Sequence, residues 1–388
     1  MPEPIRHLYA HVPFCPTICP YCDFHVLERR AGLVDAYLTE LEREAARLTG
    51  EFPSSLTTIY VGGGTPSFLR DHEISSFVRI VRDAFGWVPD FANGGEATLE
   101  VNPGTVTRSR AKLWRELGFD RASLGVQSTQ DDVLQFLGRT HDAKQALESL
   151  DILLETGFRV SADLITAAPG QDIERDLRAL ASVGLEHISA YTLTIEHGTP
   201  FARQGVKVRE EDEERALELA ESVLLEYGLE RYEVSNHAKP GRESRHNIAY
   251  WDNRFWFGLG PSATGHYPLF SPLPVLGEGS GVRAISERRK NPPLQPWLEG
   301  ERATLENGLL ERVTPEEFVT DALFSGLRLK RGVNLRDLSS RSGFDVPSRF
   351  ADAFASLESR GLLERDGDVV RATHDGIWVL NQVVAEFL

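Results

Sequence analysis

Short apolar, β-branched runs alternate with longer amphipathic stretches through the first half of this chain, and that alternation restricts its fold more than any other feature. Leu8–Val12, Thr58–Val61, Ala97–Val101, Ala122–Val126, Val160–Ile165 and His187–Thr194 are apolar at consecutive positions. That is the pattern of strands covered on both faces in a parallel sheet. Helical periodicity fills the intervals near residues 33–48, 71–85, 105–117, 129–156 and 172–183, with another stretch near 209–228. Six β-then-α units predict an α/β fold built on a parallel, barrel-like sheet. A full eight-unit pattern is not visible, so the expectation is a partial (β/α)6 TIM-like barrel, with its chemistry at the C-terminal ends of the strands.

The 388 residues suit one large domain and a smaller one. Boundaries are expected at 1–267 for the barrel and its extension, 268–302 for a Pro/Gly-rich loop or linker, and 303–388 for the second unit. In that unit Thr314-Pro315-Glu316-Glu317 combines an N-cap, a proline at the first helical position and a capping-box glutamate. Helical patterns at 315–326, 334–341 and 347–360 precede a hairpin around Asp366-Gly367, the order of a small winged-helix-like α+β domain. Arg328, Lys330, Arg331 and Arg336 would serve a nucleic-acid-binding version of that domain. The net charge of −16 speaks against it, and no nucleic-acid partner is expected. The acidic start of the 209–228 helix reads as a solvated face at the positive end of the helix dipole. No apolar run is long enough to cross a membrane, and Met1–His7 lacks a signal-peptide pattern, so a cytoplasmic protein without an integral membrane segment is expected.

The three cysteines, Cys15, Cys19 and Cys22, fall within eight residues just after the first strand. An odd, clustered trio excludes a disulfide framework and points to metal chemistry. Structural zinc takes four protein ligands, and His11, His25 or Asp23 would have to complete such a site. An iron–sulfur cluster normally takes four cysteines. Three on a four-iron cluster leave one iron open to a substrate or cofactor. A second unusual segment, Gly62-Gly63-Gly64-Thr65-Pro66, ends the second strand, where glycines admit close backbone approach to a ligand or simply a tight turn. Glu100, Gln127, Arg139 and Asp163 stand at or near later strand ends. Each would need a partner if buried, since an unpaired buried polar group costs ~1–3 kcal/mol.

The C-x3-C-x2-C spacing with an aromatic before the last cysteine, followed by the glycine loop, resembles the signature of radical S-adenosylmethionine (SAM) proteins. The resemblance implies a [4Fe-4S] cluster on Cys15, Cys19 and Cys22, with SAM chelating the open iron and cleaved to a 5′-deoxyadenosyl radical. It also implies SAM contacts from Tyr9, Tyr21, Gly63, Gly64, Thr65, Glu100, Gln127, Arg139 and Asp163. Leu8–Cys15, Gly62–Ser67, Leu124–Ser128 and Leu137–His141 are similar to oxygen-independent coproporphyrinogen III oxidase and its relatives. Two features separate the branches. The oxidases carry a fourth cysteine where this chain has Phe24, and His246-Asn247-Ile248-Ala249-Tyr250-Trp251 is similar to the segment of the HemW-type haem chaperones. That branch implies haem as a ligand, with His246 as a candidate axial ligand beside flat aromatic surface. It further implies haem-accepting partner proteins, and no dedicated porphyrinogen oxidase activity, with SAM cleavage left open. The oxidase remains the alternative. The chain departs from its relatives at Thr264, where they usually carry histidine (His266 lies two residues on), and in Ser271–Val282, which looks like an insertion.

Overall fold

Each of the six apolar runs forms a strand: β1 (Ile5–Val12), β2 (Ser54–Gly63), β3 (Glu96–Val101), β4 (Arg121–Gln127), β5 (Arg159–Thr166) and β6 (His187–Thr192). They pair in parallel and in chain order. The computed structural model describes residues 3–274 and 283–387. Helices α1 (Leu33–Glu51), α2 (Asp71–Phe85), α3 (Arg108–Glu116), α4 (Ala143–Glu155) and α5 (Ile173–Ser182) form the crossovers, and α6 (Glu210–Glu226) follows β6. Their apolar faces cover the sheet, as Val34, Tyr37, Leu41 and Leu48 do on α1. Because every crossover returns the chain to the same end of the sheet, the six C-terminal strand ends share one side.

The barrel does not close. Both margins are extended instead, giving a sheet of twelve strands. Beside β6 lie β7 (Asn236–Ala238) and Glu230–Arg231, both antiparallel. Beside β1 lies β8 (Trp256–Leu259) in parallel, then β9 (Thr264–Pro274), β10 (Arg283–Lys290) and β11 (Leu310–Val313) in antiparallel order. The region expected as a linker therefore supplies sheet margin. Pro268, Pro272 and Pro274 lie within β9, whose pairing with β10 shifts register between Pro268 and Leu273. Proline is tolerated at such bulges because the ladder is already interrupted there. The expected insertion at Ser271–Val282 falls partly outside the described residues. A second difference lies at 129–156, which divides into Asp131–Phe136 and α4. Gly138 adopts φ 67 between them and Asp142 caps α4 through Gln145 N.

The C-terminal unit runs helix, short strand, helices and hairpin: α8 (Pro315–Gly326), Val333–Asn334, Leu335–Ser342, Val346–Arg349, Ala351–Ser359, then Leu363–Asp366 and Val369–Ala372. It has its own core around Phe318, Leu323, Leu338, Phe354 and Val370. The basic residues noted in the sequence are engaged within the protein. Lys330 lies 3.8 Å from Glu230, Arg331 pairs with Asp252, Arg336 pairs with Asp368 at 2.8 Å, and Arg328 packs over Phe324 and Trp251.

A buried carboxylate on α1 ties the extension to the barrel. Glu44 is fully buried and accepts from Gly260 N (2.8 Å), Asn291 Nδ2 (2.8 Å) and Trp297 Nε1 (3.1 Å). Burial pushes its pKa up to about 7, against the opposing pull of the Gly260 and Trp297 donors and of Arg47. The folded state thus holds a proton that the unfolded chain releases near 4.5, so this contribution to stability is full below that pH and falls as pH rises towards about 7. Glu44→Gln is expected to flatten that part of a stability–pH profile measured by urea unfolding. Glu44→Ala, which orphans three buried donors at ~1–3 kcal/mol each, is expected to lower stability by several kcal/mol at every pH.

Candidate functional site

At the shared strand ends lies a cavity of about 490 Å³. The loop after β1 brings Cys15, Cys19, Tyr21 and Cys22 to it, and the end of β2 with the turn that follows brings Gly63, Gly64 and Thr65. Glu100 of β3, Gln127 of β4 and Asp163 of β5 point into it, and Arg139 reaches it from the break that precedes α4. Strand alternation explains the lining: Ser123, Gly125 and Gln127 share one face of β4, as Asp163 and Ile165 share one face of β5.

The glycines are required by close packing. A Cβ on Gly62 would stand 2.7 Å from Glu100 Oε1, one on Gly63 (φ 106) would strike the His11 ring, and one on Gly64 would stand 2.9 Å from the Val12 and Phe14 carbonyls. Glu100 accepts from Tyr60 Oη (2.9 Å) and Gly63 N (3.0 Å). Burial, reinforced by nearby Asp163, lifts its pKa to about 7. Asp163 accepts from Ser123 Oγ at 2.9 and 3.0 Å, and burial raises it too. Gln127 holds φ 66, a left-handed conformation that costs a non-glycine residue ~1–3 kcal/mol. The Arg139 guanidinium donates to Cys19 Sγ and to the Gly125 carbonyl, each at 3.3 Å, while its Nε is buried without a partner. Cys15 Sγ lies 3.5 Å from Thr65 Oγ1. Burial raises the Cys15 thiol and pushes Cys22 up to about 11, so a metal would have to displace their protons.

Residues 9–183 match the Radical SAM superfamily and residues 313–379 the HemN C-terminal domain. Over 99% of its length the chain is 31% identical to the heme chaperone HemW of Bacillus subtilis (strain 168), covering 99% of that protein. It is 33% identical over its full length to heme chaperone HemW of Mycobacterium tuberculosis H37Rv, covering 96% of it. This chain belongs to the HemW family of radical SAM proteins. A mitochondrial radical S-adenosyl methionine domain-containing protein 1 from Bos taurus is also 31% identical, over 98% of this chain and 87% of its own. The fold is that of Escherichia coli coproporphyrinogen III oxidase HemN, with a TM-score of 0.79 at 20% identity over 99% of this chain and 90% of that one.

The radical SAM family implies a [4Fe-4S] cluster and SAM, and the residues present fit them. Three thiols line one cavity with a guanidinium beside one sulfur, an unpartnered buried Nε, and a glycine turn without side chains in the way. Among the described residues no three His, Cys, Asp or Glu side chains converge as ligands of a single ion would. Of the expected SAM contacts, all but Tyr9 line the cavity. Tyr9 Oη instead bonds His11 Nδ1 at 3.0 Å, and the ring faces a neighbouring cavity of about 470 Å³ with Tyr250, Trp256, Thr264 and Lys290. Asp23 and Phe24 line both spaces.

His246 sits outside the lining of the strand-end cavity. It lies on α7 (Arg245–Trp251), 1% exposed, with Nδ1 2.8 Å from Thr58 Oγ1 and its ring stacked on Tyr60 at 5.4 Å and edge-on to Tyr250 at 4.8 Å. Its backbone N–H donates to Glu96 Oε1 at 3.0 Å. These contacts leave Nε2 buried and without a hydrogen-bond partner among the described residues. His266 is likewise buried, with Nε2 2.9 Å from Ser286 Oγ and its ring against Phe255 and Trp256. Tyr60, Ser123 and Tyr191 also line the cavity, and the apolar-run reading passes over them; Ser123 shares the period-2 register of Gly125 and Gln127, which was the available signal for it. Gly62→Ala is expected to weaken SAM binding at least tenfold in calorimetric titration of the cluster-loaded protein. Gly50→Ala, which meets open space, is expected to leave it unchanged.

Proposed function

We propose that this chain is a haem chaperone, binding haem and passing it to acceptor haemoproteins while carrying a [4Fe-4S] cluster on Cys15, Cys19 and Cys22 together with SAM. The observation that carries this reading is end-to-end similarity to relatives named heme chaperones, at 31% and 33% identity, against 20% for the oxidase of like fold. Phe24 supports it. It stands two residues after Cys22, where the oxidases hold a further cysteine, and is 65% exposed.

When bound and reduced, the cluster supplies an electron for reductive cleavage of SAM. The chain's own part is to hold and orient. Arg139 offsets negative charge at Cys19, the Gly63–Gly64 backbone admits close approach, and Glu100 and Asp163 face the ligand with oxygens that bind hydroxyl or ammonium groups. Since Glu100 becomes a carboxylate only above about pH 7, SAM affinity is expected to rise between pH 6 and 8, and Glu100→Gln to weaken binding and flatten that rise.

The deciding experiment is anaerobic. Reconstituted protein with SAM and coproporphyrinogen III is expected to yield no protoporphyrinogen, while haem-loaded protein is expected to transfer its haem to an apo-globin, followed by the acceptor's Soret band. Turnover to protoporphyrinogen would favour the oxidase reading and overturn this one.

A further inference from the structure

His7 and Thr58 are partners in the parallel register of β1 and β2, and Tyr9 and Tyr60 are the next pair along on the same face. The His246 ring of α7 meets both layers, stacking on Tyr60 and bonding Thr58. Its Nδ1 lies 2.8 Å from Thr58 Oγ1, and that same oxygen lies 2.9 Å from His7 Nδ1. One buried hydroxyl therefore bridges two imidazoles that stand 239 residues apart in the chain on separate elements.

A hydroxyl carries a single hydrogen, so between two ring nitrogens it donates to one and accepts from the other. Burial keeps both rings neutral, with one N–H each. The tautomers of His7 and His246 are thus tied together, and two arrangements exist. In the first, His246 Nδ1 is bare and its N–H falls on Nε2, where the buried surroundings offer no acceptor among the described residues. Buried N–H groups left in that state are rare in folded proteins. In the second, His246 Nδ1–H donates to Thr58, and the Thr58 hydroxyl donates to His7 Nδ1. His7, half-buried on β1, then carries its N–H on Nε2. His246 Nε2 is left with a lone pair, the form in which an imidazole binds a metal.

An orphaned ring nitrogen does not by itself single out His246. His141 Nδ1, His266 Nδ1 and both nitrogens of His237 are buried without hydrogen-bond partners among the described residues too. The second nitrogen of the ring makes the difference. His141 leans on the Val126 carbonyl and His266 on the Ser286 hydroxyl, whereas His246 alone of the four is joined through a hydroxyl to another imidazole.

We propose that Thr58 and His7 are positioning residues for haem: Thr58 holds the Nδ1 proton of His246, His7 anchors the Thr58 hydroxyl, and His246 Nε2 is left free to coordinate the iron. This rests on the haem-chaperone reading, and it assigns two residues outside the His246–Trp251 segment that resembles the chaperones. The bond formed is a coordinate one from the Nε2 lone pair, so no proton leaves and no electron moves. Acceptors that hold the second N–H of a metal-bound histidine are generally worth ten- to a hundredfold in affinity.

The test is a haem titration of the full-length protein, repeated with iron-free protoporphyrin IX, with electron paramagnetic resonance of the ferric haem complex. Thr58→Val is expected to weaken haem binding about tenfold and shift the g-values, while leaving protoporphyrin binding nearly unchanged. Thr58→Ser, which keeps the hydroxyl, is expected to restore both readouts, and His7→Phe to shift them in the same direction by less. Far-ultraviolet circular dichroism checks that each variant is folded. In haem-free protein, nitrogen-15 spectra of labelled histidines are expected to show His246 as the Nδ1–H tautomer. Wild-type affinity and g-values in Thr58→Val, an Nε2–H tautomer at His246, or an unaltered haem complex in His246→Ala would each overturn this assignment and leave the chaperone reading standing. Failure of wild type to bind haem at all would overturn both.

Discussion

A parallel sheet that stops short of closing has two margins with unpaired backbone groups, and covering them is the constraint on which the rest of this molecule depends. One margin is met by β8 in parallel against β1, followed by three antiparallel strands; the other by β7 and Glu230–Arg231. These added strands determine where the other features fall. The turn after β8 donates Gly260 N to Glu44, the segment before β8 holds α7 and His246, and β7 turns His237 outward. The site at the strand ends is thus built by the barrel, while the flanking cavities are built by what covers its margins.

Inside the barrel the same economy of partners recurs. Glu96, fully buried at the start of β3, accepts from Arg159 Nη2 and His246 N at 3.0 Å and from Arg245 N at 3.2 Å. It thereby fixes the first turn of α7. His246 then fills the space beneath Tyr60, and Tyr60 Oη in turn supports Glu100 at the strand-end cavity. His246 is thus one link in the packing that orients Glu100.

The barrel was legible because strands buried on both faces must be apolar at consecutive positions, and Leu8–Val12 or Val160–Ile165 have no other economical reading. The cysteine trio and glycine turn were legible for a similar reason, since their chemistry depends on local spacing. What escaped depends on distant partners. Gly138 breaks an otherwise continuous helical pattern where a Cβ would stand 2.6 Å from Pro20 of the cysteine loop, and that break is what carries Arg139 to Cys19. The prolines of β9 signal a loop to any local rule, and only the antiparallel partner β10 makes them sheet. Tyr9 sits on the first strand next to the cysteines, yet its ring faces the neighbouring space because strand alternation, not sequence proximity, decides the side.

The turn between α7 and β8 has a further consequence. Asn253 takes φ 48, donates from Nδ2 to the Phe318 carbonyl at 3.2 Å, and offers its own carbonyl, with that of Asp252, to Arg341. The joint between the two units is therefore written on both of them, in residues far apart along the chain. Recombining this C-terminal unit with the barrel of a distant relative would succeed only if the 252–254 turn travelled with it, so the natural unit of exchange is a domain together with the piece of its neighbour that it grips.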